Sequence, residues 1–145
     1  MRWAWAALAL LWGGVAMAET LVTYSVVDDA VVRPLTTRRG NPERGLGIME
    51  SRDAGNCMLC HTMPLRGRHV FGNAGPDLAG VGARLSEGQL RLRVIDQSKL
   101  NAKTIMPAYY RIDGLTRVAT AYRNKPILTA QQVEDVVAFL MTLRP

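Results

Sequence analysis

Residues Gly55-Asn56-Cys57-Met58-Leu59-Cys60-His61 set two thiols three positions apart and put an imidazole directly after the second. Thiols at that spacing can add to both vinyl groups of a haem while the adjoining imidazole ligates its iron, which is the c-type haem attachment signature. The two intervening residues let one turn of chain place both sulfurs along one porphyrin edge, and His61 then faces the metal. Cys57 and Cys60 are the only cysteines, so no disulfide scaffold and no four-cysteine zinc site can be built. A thioredoxin-type pair would sit between a buried strand and a helix, whereas the residues before Cys57 are rich in Gly, Asp and Arg. A zinc site would need two further ligands, and His69 is the only other histidine. The motif therefore predicts one covalently bound haem c.

A sixth ligand must reach the iron from the face opposite His61. Met58 lies inside the attachment turn and Met63 two residues past the histidine, both poorly placed to round the haem edge. Met49 and Met141 fall in helical stretches at positions that read as core, the usual fate of methionine. Met106 is far along the chain, in a loop, and Pro107 stiffens the backbone after it, so Met106 is the expected ligand. His69 is the rival, because eight extended residues reach roughly 26 Å and chain length alone does not exclude it. His61 also needs an acceptor for its Nδ1 proton to fix the ring plane. The rigid turn Gly75-Pro76-Asp77-Leu78-Ala79-Gly80 offers the Pro76 carbonyl, and Arg84 beyond it either approaches a haem propionate or stays exposed.

The elements that hold these groups read as helices joined by long loops. Asn41 caps a helix that Pro42 opens and that runs to about Arg52, with Leu46, Ile48 and Met49 as a thin apolar stripe. Gly45 and Gly47 weaken it, and Gly47 is expected to let it approach the Phe139 and Leu140 side of the last helix. Ser86 with Gln89 forms a capping box for a helix to about Ser98, carrying Leu90, Val94 and Ile95 on one face. Thr129 with Gln132 forms a second box, and Val133, Val136, Val137 and Leu140 follow the i, i+3, i+4, i+7 rule to near Leu143. The glycine- and proline-rich stretch after His61 reads as a loop wrapping the haem.

Residues 1–18 stand apart from this domain. Arg2 precedes an apolar run from Trp3 to Val15, and Ala16-Met17-Ala18 is an A-x-A cleavage site, so a secretory signal peptide cleaved after Ala18 is expected. The run is shorter than the roughly 20 apolar residues that span a bilayer, so no membrane span is expected in the mature chain. Export to an oxidising periplasm suits thioether attachment. Removing residues 1–18 takes one basic and no acidic side chain, which leaves 17 basic against 12 acidic groups, a formal +5. Two haem propionates lower this further, and the excess is too scattered for nucleic acid or a polybasic membrane patch. Arg38, Arg39 and Arg44 form the one basic cluster, read as a solvated segment before a docking arm. Residues 19–40, rich in Val, Thr and Tyr without a helical period, read as an extended arm with at most a short strand. An apolar arm of this kind must lie against the haem domain or another subunit.

From about residue 41 to 145 the chain resembles the class I cytochromes c. The resemblance rests on Cys57-x-x-Cys60-His61, Gly75-Pro76-x-Leu78-x-Gly80, Met106-Pro107 and a C-terminal amphipathic helix. Thr104-Ile105-Met106-Pro107-Ala108-Tyr109-Tyr110-Arg111, Gly114-Leu115, Pro126-Ile127-Leu128-Thr129 and the block from Val133 to Leu140 further resemble SoxX. Two departures, Lys103 in place of a proline and Asn124-Lys125 before Pro126 in place of a glycine, fall in loops. The resemblance implies an all-α class I cytochrome c fold with an N-terminal arm, divided as 1–18 leader, 19–40 arm and 41–145 haem domain. It also implies a SoxA-type partner subunit, thiosulfate joined oxidatively to a cysteine of a SoxYZ carrier, and a soluble cytochrome c as electron acceptor. Chemistry would then reside on SoxA, because this chain has no cysteine left to hold a persulfide. A free-standing electron carrier and a haem enzyme with a vacant sixth position are the alternatives.

Overall fold

A computed structural model describes residues 21–67 and 71–145. The leader and His69 lie outside the described residues. Four α-helices carry the fold: α1 (Pro42–Glu50), α2 (Val81–Arg84), α3 (Glu87–Asp96) and α4 (Ala130–Thr142). Each of the three longer ones starts where a side chain satisfies a backbone N–H that has no partner inside the helix. Asn41 Oδ1 accepts from Arg44 N at 2.8 Å. Ser86 and Gln89 exchange side-chain bonds with each other's backbone N–H at 3.3 and 2.9 Å, as do Thr129 and Gln132 at 3.2 and 2.8 Å. The single turn α2, hidden in the glycine-rich loop sequence, packs on α4, with Gly82 N donating to Leu143 O at 3.0 Å.

The core forms where α4 meets α1 and, less extensively, α3. Val133, Val136, Val137 and Leu140 are all buried, as their spacing predicts. Gly47, however, is not the close-approach position. A Cβ there would meet nothing within 4 Å, whereas one on Gly45 would run into Asp135 O and lie 2.9 Å from Phe139 Cβ. Two positions along an α-helix turn about 200°, so with Gly45 against α4 its neighbour Gly47 must face away.

The arm folds back onto its own domain and, among its described residues, carries no strand beyond an isolated Val27–Ala30 bridge. Val31 and Leu35 enter the core. Their backbone is tied down by charged side chains of α3 and α4. Leu35 N donates to Glu134 Oε1 at 2.8 Å, and Arg91 Nη1 donates to Val31 O at 2.7 Å. Arg91 and Glu134 are themselves buried and form a two-pronged ion pair at 2.8 and 2.9 Å, joining α3, α4 and the arm. Beside it, Asp135 accepts from Asn41 N and from both Arg44 nitrogens at 2.8 to 2.9 Å. Arg44 is therefore a structural fork and not part of a free basic patch, while Arg38 and Arg39 are exposed. No helix among the described residues is long and apolar enough to cross a membrane.

Candidate functional site

The chain from Gly55 to His61 is a tight turn built on local hydrogen bonds. Asn56 adopts a left-handed conformation at φ 47°, a 3₁₀ turn covers Cys57–Leu59, and Cys57 O accepts from both Cys60 N and His61 N. Gly55 N donates to Ile48 O at 3.0 Å, which fixes the turn against the end of α1. Both cysteines are half-buried thiols, not joined to each other. Burial pushes the Cys57 thiol up to about 12. That direction is opposite to the depression that activates a redox thiol. Among the described residues no group of His, Cys, Asp and Glu could hold a metal ion by itself.

His61 is aimed by the turn that follows it. Its Nδ1 lies 2.7 Å from the Pro76 carbonyl oxygen, the acceptor expected from the sequence. A carbonyl only accepts, so Nδ1 carries the proton and Nε2 keeps its lone pair for a metal. The turn is hung from the attachment segment by Gly75 N to Cys60 O at 2.7 Å and Leu78 N to Thr62 O at 2.9 Å. A Cβ on Gly75 would sit 2.6 to 2.9 Å from three atoms of the imidazole, so the ring lies flat against a position that only glycine fills. Arg84 donates to the carbonyls of Ala79 and Asp77, which staples the same turn.

Cys57, Cys60, His61, Pro76 and Met106 all line one cavity of about 570 Å³. That volume falls inside the roughly 300–1,000 Å³ of small-molecule and cofactor sites, and most of its wall is apolar. Of the other described methionines, Met63 is buried in the core and only Met49 also borders the cavity. Met49 ends α1 on the side of the attachment turn, whereas Met106 comes from a separate loop. Thr104 Oγ1 accepts from Met106 N at 3.1 Å. Tyr109, buried at the cavity wall, donates from its hydroxyl to Gly55 O at 2.7 Å and so bolts the Met106 loop to the attachment loop. Its backbone continues the anchorage: Tyr109 O accepts from Leu128 N, and Tyr110 N donates to Ile95 O. Nothing in the sequence marked Tyr109 for this task, because its partner is a backbone carbonyl more than fifty residues away.

The cytochrome c family model matches residues 44–144. The chain belongs to the cytochrome c family. As a cytochrome c it carries covalently bound haem c, and its donors suit that group: two thiols, an oriented imidazole and a thioether on one apolar cavity. The crystal structure of SoxXA from P. pantotrophus is similar to it, at 41% identity and a TM-score of 0.78. The likeness covers 84% of this chain and 95% of that one. It supports assignment of this cytochrome c to the SoxX type. No curated protein matches the chain.

Proposed function

We propose that this cytochrome c is the electron-accepting subunit of a SoxAX-type complex in the periplasm. In this reading a SoxA-type subunit joins thiosulfate to a cysteine of a SoxYZ carrier and releases two electrons, which leave through this chain to a soluble cytochrome c. The observation that carries it is the extensive likeness to SoxXA. The arm buries Val31 and Leu35 in its own domain but leaves Val22, Val26, Val27 and Val32 exposed, which is compatible with a partner subunit lying against it.

Bound haem supplies acceptance and release of one electron at a time. The chain's own residues hold it and close it to other chemistry. Cys57 and Cys60 would hold the haem by adding their S–H bonds across its two vinyl groups, each sulfur bonding one vinyl carbon and its hydrogen passing to the other, and Pro76 O keeps His61 Nε2 available as one ligand. Met106 provides the other, its backbone fixed by Thr104 and its loop by Tyr109. With both residues as ligands the iron would be closed to substrate, which would suit a relay of electrons. Copurification of the native protein with a SoxA-type subunit, followed by haem reduction that requires thiosulfate and carrier, tests the assignment. Reduction by unrelated donors alone, without a stable partner, would instead favour a free-standing carrier. Intact mass is expected to show a chain beginning at Glu19 plus one haem, and replacement of Cys57 and Cys60 by Ala is expected to abolish the adduct.

A further inference from the structure

Among the described residues two arginines reach the cavity, Arg84 from α2 and Arg93 from α3. The guanidinium of Arg84 is occupied by the Ala79 and Asp77 carbonyls. Arg93 is the sole charged residue that α3 contributes to the wall, beside Leu90 and Val94. One of its terminal nitrogens is anchored at 2.9 Å to Gln89 O, one turn back. The other makes a long contact of 3.4 Å with Asp29 of the arm, where both side chains are partly exposed. Asp29 does not depend on that contact. Gln89 Nε2 reaches both of its oxygens at 2.9 and 3.0 Å, and this bond, ahead of the Arg93 contact, holds the carboxyl below its usual range. The Arg93 fork is thus held at the edge of the cavity by a loose ion pair, with capacity for a second carboxylate.

We propose that Arg93 is a carboxylate-binding residue of the cavity that takes a haem propionate, with Asp29 of the arm as the counter-charge that sets how strongly it does so. The proposal rests on haem filling the cavity between His61 and Met106. Its electrostatic consequence has a definite sign. Ferric haem carries one more positive charge than ferrous, so a nearby cation favours the ferrous state and a nearby anion the ferric. Arg93 raises the reduction potential and Asp29 lowers it, which makes the arm part of the redox centre and not only a strap.

Spectroelectrochemical titration of holoprotein carrying Arg93→Gln, Asp29→Asn or the exposed arm control Arg38→Gln decides the matter. The expected result is a downward shift for Arg93→Gln that exceeds the control, and an upward shift for Asp29→Asn. Equal shifts in Arg93→Gln and Arg38→Gln overturn the proposal, as does a fall or no change in Asp29→Asn. Asp29→Asn alone suffices if Arg93→Gln yields no holoprotein. A wild-type potential that varies with sulfate concentration at constant ionic strength, and loses this dependence in Arg93→Gln, would make Arg93 a site for a solution anion and overturn the propionate assignment. Absence of the covalent haem adduct from wild-type protein would defeat the underlying haem reading instead, and is seen by mass before any potential is measured.

Discussion

At the scale of single residues, the ligand environment depends on contacts with little slack. Gly75→Ala places a methyl within 2.9 Å of the His61 ring, so the imidazole must rotate or move off Pro76 O. The expected outcome is a perturbed ferric spectrum and a loss of about 1 to 3 kcal/mol in denaturant unfolding of the holoprotein, the usual range for overpacking. Met106→Ala tests the other proposed ligand. A neutral, soft thioether favours the ferrous state, so its loss is expected to lower the potential, open the iron to water or added ligands, and remove the weak red ferric band of a sulfur–iron bond. Persistence of that band in the variant would transfer the role to another donor, with Met49 the methionine to replace next because it borders the same cavity. His61, Pro76 and the two cysteines were legible in the sequence because their chemistry is local and their spacing is the message. The second arginine of the cavity and the tyrosine bolt were not, because each becomes functional only through a partner far along the chain.

At the scale of elements, the two glycines of α1 make opposite predictions. Gly45→Ala drives a methyl into the α4 backbone and is expected to cost about 1 to 3 kcal/mol. Gly47→Ala meets open space and improves helix propensity, so unfolding of the holoprotein is expected to show a gain of about 0.5 to 1 kcal/mol. The helices were readable from caps and period because both signals lie within a dozen residues. Which glycine faced inward was not, since the thin stripe of Leu46, Ile48 and Met49 does not fix the rotation of α1. The same limit applies to α3 and α4, where Arg91, Glu134 and Asp135 look like members of a wet face. In the fold the arm covers that face and removes the water. Glu134→Gln strands the buried Arg91 charge, and a loss of about 3 to 5 kcal/mol in chemical denaturation is expected.

For the molecule as a whole, the charged clasp that ties the start of α1 to α4 responds to pH. Burial pushes the Asp135 carboxyl up, but the Arg44 fork, the Asn41 N–H and the Gln131 amide outweigh it, and the net shift is downward. A carboxyl depressed on folding contributes stability that is present above its unfolded value near pH 4 and is lost as pH falls through the lower folded value. Stability of the holoprotein is expected to decline with acid in that window. Asp135→Asn is expected to flatten the decline while lowering stability at neutral pH, as measured by unfolding at a series of pH values. Asp29 and Asp77 are depressed as well, so the slope is reduced and not abolished.

The clasp between Leu35 and Glu134 also has a bearing on how the chain is held together. Its partners are 99 residues apart, so it closes a loop containing nearly the whole haem domain. Contacts of such separation carry the largest entropic cost of closure. The bonds that shape Cys57 to His61 span three or four residues and need no such closure. The attachment turn therefore has local bonds of its own and does not draw its shape from the clasp. The seam lies where the arm meets the last helix, away from the two cysteines.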